Sequence, residues 1–247
     1  MGAGGMGLKD RSKARDVLEL NCDLGEGEPP EQTAALCGCV RRINVACGVH
    51  AGDDASMARC VDLARRHGLK LGAHPGAPGS FGRGSVHPTP AGLMEWVAPQ
   101  VARVAAHATH GGMRLVHVKL HGSLYHAVEG DGALACAFAR WAKDELPGVE
   151  LLGLHDGALV RAAREAGVPF VPEGFLDRGY LPDGRLVPRG QCGAVRSSKE
   201  EVAGRVARWL ATGTVEAVDG SILPLDVKTW CVHGDSPGIL EAIHGVA

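Results

Sequence analysis

No apolar run in this sequence reaches the roughly 18 residues that a membrane-spanning helix requires, and the segment before Asp16 lacks the apolar stretch of a secretory signal. Aromatic residues are scarce, at 4% of the chain. Neither sign of charge dominates. The 26 Lys and Arg set against 28 Asp and Glu leave a formal net charge of -2, which offers no electrostatic footprint for nucleic acid or an anionic membrane. There is no CxxC pair, and Cys37-Gly38-Cys39 is too closely spaced for a zinc knuckle. The eight cysteines fall mostly within apolar patterns, as reduced packing residues of a cytoplasmic protein do. No GxxxxGK[ST] loop is present to cradle phosphates. Gly2-Ala3-Gly4-Gly5-Met6-Gly7 matches GxGxxG literally, but no strand precedes it, so the dinucleotide reading fails on context. Residues 1–16 read as a disordered extension and 17–247 as a single domain.

What the chain does contain is 36 glycines and a repeated alternation of strand and helix patterns. The clearest stretch is Val116 to Gly122, where Val116, Val118 and Leu120 alternate with His117, Lys119 and His121. A period of two predicts a strand with an aliphatic face and a face of two imidazoles and an ammonium. Strands with the same character are predicted over 17–23, 43–50, 70–75, 150–155, 168–175 and 229–235. Helices are expected between them: 31–40, one capped by Asp53 or Asp54 and stopped by Gly68, 89–110, 131–146, 157–166, one opened by Ser197 or Ser198, and a last one ending near His244. Asp183-Gly184 and Asp219-Gly220 mark two hairpins.

Seven such alternations predict a parallel α/β architecture. In an open doubly wound sheet the central strands would be apolar on both faces. Here one face is apolar and the other small or polar, the pattern of a closed, TIM-like barrel whose polar groups gather at the carboxyl ends of its strands. Asp23, His50, His74, His121 and His233 lie at or near those ends, which places them in one shared pocket.

Several ordered motifs carry a resemblance. Leu20-Asn21-Cys22-Asp23-Leu24-Gly25-Glu26, Asn44 to Asp53, Gly72-Ala73-His74-Pro75, Phe81-Gly82-Arg83 and His117 to Gly122 are joined by Asp177-Arg178-Gly179-Tyr180, Leu186-Val187-Pro188-Arg189 and Cys231 to Asp235. Over residues 17–245 the chain resembles the LamB/YcsF family. The resemblance implies a distorted seven-stranded parallel β/α barrel of the glycoside hydrolase/deacetylase type. It also implies ATP-dependent opening of the 5-oxo-L-proline lactam to L-glutamate, together with B and C subunits. Cys22 and Leu120 depart from the family pattern, which has Ala and Pro there, and His155-Asp156 stands where smaller residues are expected.

Lactam opening needs water activation, charge stabilisation and a grip on the substrate carboxylate. Asp23 or Glu26 is expected to activate water, with His74 or His121 as proton donor. Lys119 is expected to stabilise a developing oxyanion or phosphate. Arg83, Arg178 or Arg189 would hold the carboxylate, and His50, His233 and Asp235 complete the substrate contacts. ATP with Mg2+ is required by this reading, and the missing phosphate loop allows the partner proteins to house it. Two alternatives stand beside it. One is a self-contained metal hydrolase using Asp23, His50 and His74 on Zn or Mn, and the other is a non-catalytic carrier of the lactam.

Overall fold

Seven short strands, β1 (Leu20–Leu24), β2 (Arg42–Ala46), β3 (Lys70–His74), β4 (His117–Lys119), β5 (Glu150–Leu154), β6 (Phe170–Phe175) and β9 (Thr229–His233), close into one barrel in which β9 pairs with both β6 and β1. Every pairing around the ring is parallel. This computed structural model describes residues 18–79 and 84–244. The expected amino-terminal extension, its glycine-rich match and Arg83 lie outside those residues. The seven-stranded parallel barrel expected from the alternation is the fold observed.

The outward side chains of the strands, among them Leu20, Cys22, Ile43, Val45, Leu71, Val118 and Leu151, are buried in one continuous core under the helices. Their inward neighbours Asn21, Asp23, Asn44, His117, Lys119, Glu173 and Cys231 meet one another across the barrel axis. The amino-terminal mouth is plugged by Arg42, buried against Glu19 and Glu150, with Lys70 on Glu19 at 2.9 Å.

The connecting helices are α1 (Pro30–Cys37), α2 (Asp54–His67), α3 (Pro90–His110), α4 (Gly122–Gly130), α5 (Gly132–Glu145), α6 (Ala158–Ala166), α7 (Lys199–Thr212) and α8 (Ile239–His244). Their starts follow local chemistry. Asp53 and Ser56 form a reciprocal capping box on α2, as Ser198 and Glu201 do on α7. The two expected hairpins form as well: β7 (Thr214–Glu216) pairs antiparallel with β8 (Ile222–Pro224), and Tyr180 bridges Leu186.

The sequence pattern missed α4. The strand expected to run through His121 ends at Lys119, and His121 is instead the residue that caps α4. Gly122, at φ 50°, turns the chain straight from strand into helix, which a side chain there would resist. That turn aims His121 across the barrel mouth rather than along a strand face.

Helix α4 also supplies a cap that α6 lacks. Gly157 opens α6 with no side chain to offer, and the Glu129 carboxylate accepts the Leu154 and Leu159 N–H groups at 2.8 and 3.3 Å. Gly153 and Gly157 make room for it, since a Cβ on either would collide with a Glu129 oxygen. Glu129→Ala therefore strands two N–H groups at the β5–α6 junction and should cost about 2–4 kcal/mol of stability, read from urea unfolding.

Candidate active site

Asp23, the inward residue near the end of β1, is the hub of the barrel's carboxyl mouth. Its Oδ1 accepts from Asn44 Nδ2 at 2.7 Å and from Lys119 Nζ at 3.0 Å. Its Oδ2 faces His74 Nε2 at 3.3 Å and His233 Nε2 at 3.7 Å. Lys119 is only 2% exposed and also touches Glu173 Oε2 at 3.1 Å and Cys231 Sγ at 2.9 Å. Burial works against the ammonium, but Asp23, Cys231 and Glu173 outweigh it and hold Lys119 well above the usual lysine range. Burial likewise works against the Asp23 carboxylate, yet His74 and Lys119 keep it well below the usual carboxylate range. Glu173 has no such balance: burial dominates and raises it despite Lys119. The result is a buried ammonium held between two carboxylates.

Beneath this layer Asn44 donates to Asn21 Oδ1 at 2.8 Å and receives His117 Nε2 at 2.7 Å. An amide oxygen only accepts, so His117 carries its proton on Nε2. Burial and the charges of Arg42 and Lys119 push its pKa well down, so it is a neutral spacer rather than a base.

Above Asp23 sits a group of three imidazoles around one carboxylate. Glu26 Oε1 lies 3.0 Å from His50 Nε2, 2.9 Å from His121 Nδ1 and 3.6 Å from His74 Nε2. His121 Nδ1 is 3.0 Å from His74 Nε2. The other nitrogen of His74, Nδ1, faces the Lys119 carbonyl at 2.8 Å, which fixes the ring's orientation. His50 and His121 stack at 3.8 Å, while His74 stands edge-on to both. Burial opposes the Glu26 charge, but bonds from His121 and His50 leave it well below the carboxylate range. Burial lowers His50 to about 4 in spite of Glu26. His74 goes the other way, because Asp23 overcomes its burial and raises it.

Two devices hold His50 in place. Gly76 packs on the ring so closely that a Cβ there would lie 2.5 Å from Nδ1. Gln100 of α3 in turn pins Gly76 by accepting its N–H at 3.1 Å and donating to its carbonyl at 2.9 Å.

On the far side of Asp23, Asp177 is fully buried and accepts from the His233 backbone N–H at 3.0 Å and from Ser236. It also takes His233 Nδ1 at 3.0 Å, leaving Nε2 turned toward Asp23. Burial opposes the Asp177 charge, but His233 and Ser236 lower it to about 2. An imidazole oriented by a carboxylate through one nitrogen is arranged to carry a proton on the other.

The structure thus brings together Asp23, Glu26, His50, His74, Lys119, His121 and His233. Of the metal triad expected from sequence, Asp23 lies against His74 at 3.3 Å, while His50 and His74 gather more closely with Glu26 and His121. Asp23 is taken up by Lys119 and Asn44, and the ligand atoms that gather are those of Glu26, His50, His74 and His121. Arg178, expected to grip a substrate carboxylate, is buried and donates to the Ala194 and Val187 carbonyls at 3.0 and 2.7 Å. Its fork braces the loop after β6. Arg189 pairs with Asp235 at 3.1 Å on the exposed rim. Glu173, Asn44, Asp177 and Gln100 were not singled out from the sequence. Glu173 shares the inward parity of β6, the one signal that could have found it.

The LamB/YcsF family model matches residues 18–247. A protein from Carboxydothermus hydrogenoformans, named as the A subunit of 5-oxoprolinase, is 43% identical over 233 residues, 92% of this chain and 89% of that one. One of the same name from Bordetella pertussis is 37% identical over 235 residues, 93% of each. The crystal structure of a lactam utilization protein from Thermus thermophilus superposes with a TM-score of 0.83 at 34% identity, covering 93% of this chain and 95% of that one. With the same fold, near full-length matches and a family model spanning the described domain, this chain belongs to the LamB/YcsF family.

Proposed function

We propose that this chain is the A subunit of an ATP-dependent 5-oxoprolinase that opens the lactam of 5-oxo-L-proline to L-glutamate with B and C subunits. The observation that carries the reading is the buried Lys119–Asp23–Glu173 group beside an imidazole cluster, in a chain so similar to proteins named as 5-oxoprolinase A subunits. Opening an amide ring places negative charge on the carbonyl oxygen and requires a proton for the leaving nitrogen. Lys119, held in place by Asp23 and Glu173, is a preorganised N–H donor for that oxygen in a water-poor setting. His233, held by Asp177, is the proton carrier, and His121 and Glu26 at the mouth orient the ring.

ATP, when bound, would supply a phosphoryl group that, on the amide oxygen, makes the ring carbonyl carbon more open to attack by water before the C–N bond breaks. Lys119 is already neutralised by two carboxylates, so it is not a spare cation for nucleotide phosphates. That supports a nucleotide with Mg2+ housed mainly by the B and C subunits. All eight cysteines are free, which fits a cytoplasmic setting.

A steady-state assay of glutamate release tests the reading. The isolated chain should give no appreciable turnover with or without ATP, and adding the B and C subunits with ATP and Mg2+ should restore it. Robust ATP-dependent turnover by the isolated chain would place the whole reaction here. Turnover that needs a metal but no ATP would instead favour a self-contained amide hydrolase.

A further inference from the structure

We propose that Glu26, His50, His74 and His121 form a binding site for a first-row transition-metal dication of the zinc class.

Metal–ligand bonds of about 2.0–2.1 Å set tetrahedral ligand–ligand edges of about 3.3 Å. Glu26 Oε1 lies 3.0, 2.9 and 3.6 Å from the His50, His121 and His74 nitrogens, and His121 and His74 are 3.0 Å apart. All four ligand atoms fall within 4.8 Å of one another. Four edges therefore already match a tetrahedron closely.

A shell of contacts stands behind these ligands. A ligating imidazole usually donates its other N–H to a carbonyl or carboxylate. His74 does so, through Nδ1 to the Lys119 carbonyl at 2.8 Å. His50 is oriented by packing instead: its Nδ1 is buried without a hydrogen-bond partner among the described residues, and its ring lies against Gly76, itself clamped by Gln100. Such effort to fix a ring turned toward Glu26 exceeds what a simple His–Glu ion pair needs. His50 and His121 are nearly parallel, at 8°, so one must turn to aim both lone pairs at a single ion. His121 has the room, since its side chain is 10% exposed against 1% for His50.

Three imidazole nitrogens and one carboxylate suit Zn and its first-row neighbours, whereas Mg2+ and Ca2+ take oxygen ligands. The second group of possible donors at the mouth, Asp23, Cys231 and His233, competes poorly. The Lys119 ammonium already stands 2.9 Å from the Cys231 sulfur and 3.0 Å from Asp23, so an ion there would have to displace it.

The site is the one assigned above to lactam opening, but the proposal rests on its geometry and not on that reading. The test uses the isolated full-length chain, stripped with chelator and titrated with Zn2+ or Co2+ in the absence of nucleotide and partners. Uptake should reach one equivalent, with visible absorption from the bound cobalt and a raised melting temperature. Glu26→Gln and His121→Ala should each weaken uptake on the order of 100-fold or more while keeping the wild-type circular dichroism. His155→Ala, a histidine outside the cluster, should bind as wild type does, and excess Mg2+ should not compete. Failure of the folded wild type to take up either metal, or unchanged affinity in both cluster variants, would overturn the proposal. If one cluster variant misfolds, the other decides. Glutamate release by the full assembly is a separate measurement, so either reading can fail while the other stands.

Discussion

Replacing Lys119 with methionine should abolish glutamate release by the full assembly and also lower the unfolding free energy by about 3–5 kcal/mol. From the sequence alone, Lys119→Ala reads as a change that removes activity and leaves the fold largely intact. The structure revises the second half of that expectation. Lys119 holds Asp23 at 3.0 Å and Glu173 at 3.1 Å, and both carboxylates are buried. Without the ammonium, two negative charges share a dry interior with no counter-ion between them, and that penalty is what makes breaking a buried ion group so costly. A double variant, Lys119→Met with Glu173→Gln, removes one of the stranded charges. It should recover part of the stability in urea unfolding but none of the turnover. If the single variant unfolds at the wild-type midpoint, the buried triad does not carry the stability assigned to it.

His121→Ala should behave in the opposite way, with turnover in the assembly falling about 10²–10⁴-fold and stability changing little. His121 caps α4 without any side-chain capping bond, so its removal takes no bond from the helix. Its ring touches Glu26 and His74 at the mouth, where a change acts on the reacting groups. A kcat within about threefold of wild type would mean that the chemistry lies elsewhere on the barrel. The contrast with Lys119 is itself diagnostic: two residues of one short motif, one carrying fold and function together, the other function alone.

Much of this was legible from local pattern. Period-two alternation marked β1, β2 and β4, and the strand–helix rhythm placed the other four barrel strands, because each must bury an aliphatic face under helices while its other face lines a confined interior. Asp53 and Ser198 marked helix starts by capping chemistry that acts within a single turn. The histidines at strand ends pointed to one mouth, and the structure collects them there. What escaped were interactions set by register around the ring. Asn44 meets His117 and Asp23 only because β1, β2 and β4 close at particular offsets. Glu173 reaches Lys119 across the barrel, and nothing within the sequence of β6 announces that distance. The same limit applies to the carboxylates: Asp23 and Glu26 stand close together in the chain, and only the fold places Asp23 against Lys119, Asn44, His74 and His233 and Glu26 against His50 and His121. Helix α4 was missed because its first turn overlaps a strand pattern that Gly122 cuts short.

The most direct test of the central claim is a crystal structure of this chain with 5-oxo-L-proline bound. The account requires the lactam at the carboxyl mouth of the barrel, with its ring amide within hydrogen-bond reach of at least two of Lys119, His121 and His233. A lactam bound with full occupancy away from these residues, with the mouth unchanged, would contradict it.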